Sequence, residues 1–328
     1  MAKKGYSRMT KVQPAVQTMT FVITSKDAGK ETNYIDLSQC ASILNRRFYR
    51  QGINWAVSSF KVLSGAGTTG SVSIRKMPNT WIVSNSWEKA FRAWKRQQDE
   101  VMEDGTQESS VARFNDFKIH LNEDHFVKGV GKNLLPTSAS TLASIGITVA
   151  TPGEWDMSQI VVPNYGAPGT NWEPYLQMVG DNGAPSTAPP SIGLIAAYEN
   201  SRAVPQSPDP AIPPGIVSLD NVYRSMFDVG DNNDDIADNA TLKNNDLPYP
   251  QDDYPAGSVQ LPSLEIHDQE FITGTTVGGT TRLKGGSFPC GLIEIGTLGI
   301  VADATLIVQV NLVPGTHRGY LCEPMTDM

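Results

Sequence analysis

Residues 53–76, INWAVSSFKVLSGAGTTGSVSIRK, contain two runs of β-branched and aromatic residues separated by the Gly-rich segment GAGTTG. Such runs on either side of a turn predict two strands joined as a hairpin. Comparable segments occur at 16–24 (VQTMTFVIT) and 304–315 (ATLIVQVNLVPG). Strands do not alternate with helices along the chain, as they would in a parallel α/β sheet. The sequence therefore predicts an all-β protein.

Further segments bring the total to about ten to twelve predicted strands, the others lying at 71–83, 112–121, 153–162, 174–180, 191–199, 258–273 and 287–298. Many strands joined by long irregular connections favour a β-sandwich, and the jelly roll is the common sandwich that accepts long insertions. We therefore predict one elaborated jelly roll over residues 16–328, preceded by a short basic arm at 1–15. The acidic, Pro-rich stretch at about 200–256 is predicted to be a surface insertion.

Two helices are predicted. The apolar spacing from Leu37 indicates a short helix with Ser38 as its N-cap. A longer amphipathic helix is predicted over 86–103, because Asn85 is followed by Glu88 in a pattern close to a capping box. We expect the aromatic residues in and around this helix and in the 53–65 strand to be core or interface anchors: Trp55, Trp81, Trp87, Phe91 and Trp94.

Charge is distributed unevenly along the chain. Its net charge is −8, but residues 1–100 carry 16 Lys or Arg against 6 Asp or Glu, and residues 101–328 carry 10 against 28. Such asymmetry suggests that the basic part faces nucleic acid, although uneven placement of solvated charges would look the same.

Three groups of cations are candidate nucleic-acid contacts. The segment NRRFYRQG interleaves arginines with aromatic residues, which can stack bases and hold phosphates. The alternative is a surface element whose arginines are solvated or paired with another subunit. The other groups are one face of the 86–103 helix and the N-terminal arm. The candidates are Arg46, Arg47, Arg50, Lys89, Arg92, Arg96, Lys3, Lys4, Arg8 and Lys11.

No motif predicts catalysis. GAGTTG lacks the Lys and the following helix of a phosphate-binding loop, and no acid/base pair or nucleophile constellation is evident, so the chain is predicted not to be an enzyme. The histidines of HLNEDH (120–125) lack the spacing of a zinc site, and no cofactor is predicted. A cluster of aspartates could bind Ca²⁺ at subunit contacts, although a solvated acidic loop is the simpler interpretation. Its members are Asp228, Asp231, Asp234, Asp235 and Asp238.

Several blocks resemble the capsid proteins of small circular single-stranded DNA viruses known from environmental sequences. They are YIDLSQ and NRRFYRQGINWAVSSFKV, then PNTWIVSNSWEKAFRAW, FNDFKIHL and NLLP, and the ending GTHRGYLCEPMTDM (315–328). The resemblance covers the first 136 residues and about the last 30. Members of such families often carry a strongly Arg-rich N-terminal arm, whereas this chain has only MAKKGYSRMTK.

The resemblance implies a jelly-roll coat protein that self-assembles into an icosahedral shell around a single-stranded DNA genome. It would be a virion protein, made in the host cytoplasm or nucleus, with further copies of itself as its partners and an unknown host receptor. An alternative is a double jelly roll in a shell that surrounds an internal membrane or binds minor capsid proteins. A second alternative is a receptor- or glycan-binding spike, with exposed aromatics at Tyr165, Trp172 and Tyr175.

Overall fold

The computed structural model describes residues 13–26, 29–103, 116–137, 148–163, 169–180, 191–201, 233–240, 264–274 and 279–327. This part of the chain is mostly β, which confirms the predicted class. The predicted arm at 1–15 is described only from residue 13. The predicted insertion at 200–256 lies outside the described residues except for 200–201 and 233–240.

Fifteen strands occur in the described residues: β1 (Thr18–Thr24), β2 (Glu31–Asp36), β3 (Ile53–Ser64), β4 (Gly70–Lys76), β5 (Val162–Pro163), β6 (Asn171–Trp172), β7 (Tyr175–Gln177), β8 (Ser191–Gly193), β9 (Glu265–Ile272), β10 (Thr280–Phe288), β11 (Leu292–Leu298), β12 (Thr305–Leu312), β13 (Pro314–Gly315), β14 (Gly319–Tyr320) and β15 (Cys322–Pro324). The α-helices there are α1 (Leu37–Asn45), α2 (Trp81–Glu103), α3 (Glu123–Lys128), α4 (Leu194–Ser201) and α5 (Asn233–Asp238).

Nine of these strands form two antiparallel sheets. The first sheet has the order β1-β12-β3-β10, and β15 pairs with the start of β3 beyond the end of β12. The second sheet has the order β2-β11-β4-β9. Together the sheets form a curled half-barrel, an arrangement compatible with a β-sandwich.

The core lies between the two sheets and follows from the alternation of apolar residues. Phe21, Val308 and Val62 lie opposite one another across three strands of the first sheet, and all three are fully buried. Ile295 and Ile74 form a comparable buried pair in the second sheet. Because successive side chains of a strand point to opposite faces, strands such as β1 and β12 give every second residue to one shared apolar cluster.

The two ends of the sandwich differ. At one end, called the short-loop end, brief connections join β1 to β2, β3 to β4, β9 to β10 and β11 to β12. The other end, called the insertion end, carries α1, the long insertion 77–264 between β4 and β9, and the turn Pro289–Gly291. The GAGTTG segment joins β3 of the first sheet to β4 of the second. Its prediction as a hairpin turn is therefore wrong.

Helix α1 begins where predicted, but Asp36 caps it instead of Ser38. The Asp36 carboxylate accepts hydrogen bonds from the backbone N–H groups of Ser38, at 2.9 Å, and Gln39, at 3.2 Å. Its second oxygen accepts from Gln51 and from the indole of Trp155. Asp36 is fully buried, and burial raises its pKa to about 6.

Helix α2 begins five residues earlier than the predicted 86–103 helix. Trp81 is therefore helical, and the predicted 71–83 strand ends at Lys76. The segment Trp81-Ile82-Val83 has high strand propensity. However, Ile82 and Val83 are fully buried in a second apolar cluster formed largely by the insertion. Tertiary packing therefore outweighs local propensity here.

Three other parts of the sequence prediction need correction. The predicted 191–199 strand is only the short β8, after which α4 packs against α2. A short apolar run does not distinguish a strand from a buried helix. In addition, the sequence did not predict the larger part of β10, TTRLKGGSF, because Gly285 and Gly286 interrupt its pattern. The 153–162 segment is largely irregular and reaches a strand only at Val162.

Candidate functional site

A cleft of about 880 Å³ opens at the insertion end of the sandwich. Four parts of the chain line it, namely the loop that leads into β3, one face of α2, the segment after residue 115, and the C-terminal segment. Its walls are formed by Phe48, Arg50, Gly52, Ile53, Trp87, Glu88, Phe91, Arg92, Phe117, His317, Arg318, Pro324 and Thr326. We call it the aromatic–arginine cleft.

Its floor is aromatic. The Trp87 and Phe91 rings stack with centroids 5.1 Å apart, because residues four apart lie on the same face of a helix. Phe117 meets Trp87 edge-on at 5.8 Å and also contacts Phe91. Gly52 permits this packing, since a Cβ there would lie 2.4 Å from Cζ2 of Trp87.

Guanidinium groups surround this floor. The Arg50 side chain is exposed and makes no hydrogen bond or ion pair with any residue that the structure describes. Arg318 donates through Nη1 to the carbonyl of Phe48, and Arg92 pairs with Glu88. The pKa of His317 is lowered mainly by burial and to a smaller extent by the positive charge of the adjacent Arg318. The cleft therefore combines flat apolar surfaces with excess positive charge, which suits a planar aromatic or anionic group.

The structure separates the predicted NRRFYRQG cations. Arg46 ends α1 in the left-handed conformation and is exposed. Arg47 points to the chain ends, because its Nη1 donates to Oε1 of Gln13, at 3.3 Å, and to the carbonyls of Pro14, at 3.2 Å, and Arg318. Of the three arginines, Arg50 alone lines the cleft.

The predicted cations of α2 already have partners. Arg92 and Arg96 form ion pairs with Glu88 and Glu100 one helical turn away. Lys89 lies over the Tyr198 ring, 5.6 Å from its centroid. These contacts compensate much of the positive face predicted from the sequence. Lys3, Lys4, Arg8 and Lys11 lie outside the described residues.

The predicted anchors differ in burial. Trp55 is fully buried between the sheets, and Trp87 is buried beneath α2. Phe91, Trp94 and Trp81 are half-buried and pack against the cluster beneath the helix. Sequence reasoning missed the contributions of Phe117, His317 and Arg318, which lie far from α2 in the chain and carry no local signal of proximity.

A second, polar cleft of about 550 Å³ lies over the second sheet. The buried Glu294 pairs with Arg75 at 2.9 Å, and Glu294 also accepts from the Tyr34 hydroxyl at 3.1 Å. The same hydroxyl lies 2.7 Å from the Asp124 carboxylate, and Lys128 pairs with Asp124 at 2.8 Å. The pKa of Tyr34 is raised mainly by burial and next by the negative charge of Glu294. This network fastens α3 to the sheet.

The predicted metal residues do not form a centre in the described structure. Asp228 and Asp231 lie outside the described residues, while Asp234, Asp235 and Asp238 belong to α5, where Asp235 and Asp238 are exposed. No group of three or more His, Cys, Asp or Glu in the described ranges could hold a metal ion. His125 accepts at Nδ1 from the Leu121 N–H, so its Nε2–H donates to Asn133.

Comparisons with protein-family models, curated proteins and solved structures give no match to this chain. Within the described residues, no helix is both long and apolar enough to span a membrane.

Proposed function

We propose that this chain is the major capsid protein of a small virus with a circular single-stranded DNA genome. In this proposal the sandwich is a single jelly roll, and copies of the chain assemble into an icosahedral shell. The glycan-binding alternative has less support, because Trp172 is exposed but Tyr175 packs against His120 and Phe126. Tyr165 lies outside the described residues.

The order of the eight long strands carries the proposal. Numbered one to eight along the chain (β1 to β4, then β9 to β12), they have the order 1-8-3-6 in the first sheet and 2-7-4-5 in the second. Strand 1 thus pairs with 8, 2 with 7, 3 with 6 and 4 with 5, and each pair lies within one sheet. Such a wrapped order supports the proposal of a jelly roll built from two Greek keys, a fold used by viral capsid and lectin domains.

The interior of the sandwich also supports a structural role. Its inward positions are filled by apolar side chains such as Phe60, Ile35 and Val310, all fully buried. A packed interior of this kind, in the part of the chain that the structure describes, suits a structural domain whose contacts are made on its outer surfaces.

Exposed apolar residues at the short-loop end supply a surface for such contacts. Phe271 of β9 and Leu298 of β11 flank the small Ser71 on the second sheet, and they are 71% and 53% exposed. Val301, in the adjoining loop, is 60% exposed. Apolar side chains clustered at one corner of a subunit are typical of association surfaces, and we propose that a second copy of the chain covers this corner.

Electron microscopy of the chain expressed alone tests the proposal. We expect uniform closed shells that sediment as one large species. The double variant Phe271→Ser/Leu298→Ser should abolish shells while keeping the circular dichroism of the subunit. Val127→Ser, which alters a 72% exposed residue on α3, serves as the matched control and should assemble. Monomers or small oligomers of the natural chain under all salt and Ca²⁺ conditions, together with glycan binding, would support the spike alternative.

A further inference from the structure

The two sheets carry opposite charge. The four long strands of the first sheet, TMTFVIT, INWAVSSFKVLS, TTRLKGGSF and TLIVQVNL, contain Lys61, Arg282 and Lys284 but no Asp or Glu. The strands of the second sheet, ETNYID, GSVSIRK, EIHDQEFI and LIEIGTL, contain six carboxylates and two cations. The two sheets therefore differ in charge composition, although not all of these charges lie on the outer faces: Asp36 is buried, and Asp268 and Glu270 lie opposite the buried Ile74 and Val72.

The three cations lie together on the outer face of the first sheet. Lys61 is directly opposite Arg282, and Lys284 lies two residues further along β10, opposite Ser59. Their neighbours Phe60, Val62 and Leu283 are buried in the core, so alternation directs the cations outward. Paired strands are about 5 Å apart, and residues two apart on a strand are separated by about 7 Å. The cations therefore form a tight cluster, which we call the basic sheet face.

None of the three cations has a side-chain partner within the described structure. The side chains of Lys61, Arg282 and Lys284 make no hydrogen bond or ion pair with any described residue. The Asp268 carboxylate contacts this strand through the backbone, because it accepts from the N–H of Lys284 at 2.7 Å. Like charges directly opposite each other on a sheet are destabilising. A local arrangement that costs stability without compensation points to a function.

The surroundings of the cluster indicate the kind of ligand. Gln309 and Thr20 continue the row of Lys61, and Asn311 and Thr18 continue the row of Ser59. Hydroxyl and amide groups beside Lys and Arg are typical phosphate contacts. The aromatic residues of β1 and β3, such as Phe21 and Phe60, are buried in the core, so the face offers no platform for bases. It also lacks the large protruding apolar side chains with which a surface enters a membrane.

We infer that the basic sheet face binds the phosphate backbone of single-stranded nucleic acid without reading its sequence. The inward orientation of this face in a shell rests on the proposed capsid function, whereas the binding itself does not.

The test measures binding of a fluorescein-labelled 20-nucleotide oligo-dT to the full chain over a series of salt concentrations. The variant is Lys61→Gln/Arg282→Gln/Lys284→Gln. Each lost phosphate contact lowers the slope of log K against log salt by about 0.7, so three lower it by about 2, and the affinity at about 0.1 M salt falls roughly 100-fold. Because the changed side chains are exposed or half-buried and repel one another, the thermal midpoint should not fall. Oligo-U should behave as oligo-dT does.

Two matched variants make the result decisive. Lys26→Gln/Lys95→Gln/Lys132→Gln removes the same charge outside the basic sheet face and should keep at least two thirds of the salt slope. Lys89→Gln/Arg92→Gln/Arg96→Gln tests the helix face predicted from the sequence. The inference is overturned if either variant lowers the slope as much as the sheet variant does, or if vesicles of anionic lipid bind more tightly than the oligonucleotide.

The shell assay separates this inference from the proposed function. Shells of the sheet variant that retain the natural 260/280 nm absorbance ratio, with unchanged oligonucleotide binding, would overturn the inference and leave the capsid proposal standing. If the natural chain never forms shells but the sheet variant loses oligonucleotide binding, the inference stands and the capsid proposal is overturned.

Discussion

At the scale of single residues, Gly291 shows how tightly the turn between β10 and β11 is constrained. Gly291 has φ of +68°, and an added Cβ would lie 2.7 Å from Cδ1 and 2.8 Å from Nε1 of Trp55. Trp55 is itself fixed between Tyr49 and Tyr320, with ring centroids 5.8 and 5.2 Å away. The position therefore requires glycine both for its backbone conformation and for lack of space.

Gly291→Ala should lower the free energy of unfolding by about 2–4 kcal/mol, the sum of a left-handed backbone penalty and local overpacking. Gly67→Ala is the matched control, because Gly67 has φ of +80° but nothing within 4 Å of an added Cβ. It should cost only the backbone penalty of about 1–2 kcal/mol. Urea unfolding followed by tryptophan fluorescence measures both variants, and equal costs would contradict the steric argument.

At the scale of elements, α2 has two faces of unequal importance. Trp87 and Phe91 pack against Phe117 on one face, whereas Arg92 and Arg96 form ion pairs within the helix on its exposed side. Exposed ion pairs contribute little to stability, while a buried aromatic residue removes a large apolar area from water. The aromatic face therefore holds the helix in place.

Trp87→Ala should lower the free energy of unfolding by about 3–5 kcal/mol, and Trp87→Phe by much less. Arg96→Ala, which removes only an exposed pair, should cost less than about 0.5 kcal/mol. Chemical unfolding of the three variants, followed by far-UV circular dichroism, provides the comparison. A cost for Arg96→Ala similar to that for Trp87→Ala would show that the ion pairs anchor the helix.

The sequence predicts those elements whose own pattern settles their structure. The predicted strands at 16–24, 53–65 and 304–315 correspond closely to β1, β3 and β12, because each alternates between the core and the outer surface. The aromatic face of α2 also follows from its spacing. The start of α2, the helix α4 and most of β10 do not follow, because packing against distant residues decides them.

The candidate site is only partly predictable for the same reason. Arg50, Trp87, Phe91 and Arg92 were among the predicted residues, and all four line the aromatic–arginine cleft. His317 lines the same cleft but is distant from these four residues along the chain, so the sequence alone does not show that they are close together. The basic sheet face was missed because Lys61 and Arg282 become neighbours only through the pairing of β3 with β10. Neither residue belongs to a cluster of charge in the sequence.

At the scale of the whole molecule, the buried ionisable groups determine how stability depends on pH. Burial lowers the pKa of His120 to about 3 and that of His125 to about 4. Between those values and about 6.5, the unfolded chain binds protons that the folded chain does not, so stability falls as the pH is lowered. Asp36, with its pKa raised to about 6, acts in the opposite sense between about pH 3.8 and 6.

Because two histidines oppose one carboxylate, the free energy of unfolding should fall by roughly 2–4 kcal/mol between pH 6.5 and 4.5. His125→Gln should make this dependence shallower, and Asp36→Asn should make it steeper. Urea titrations at a series of pH values measure the slopes, and the same slope in all three proteins would contradict the assignment.

The pairing of the first sheet also sets the time at which this protein can fold. Strand β3 pairs only with β10, β12 and β15 among the described strands, and β1 pairs only with β12. None of these contacts can form before the ribosome has passed residue 280, which takes about 15–55 s at ordinary elongation rates of 5–20 residues per second. Throughout that interval the apolar strands β1 and β3 have no native partners. Folding of the first sheet is therefore late and slow, and it depends on chaperones or other factors that prevent aggregation of the unfinished chain.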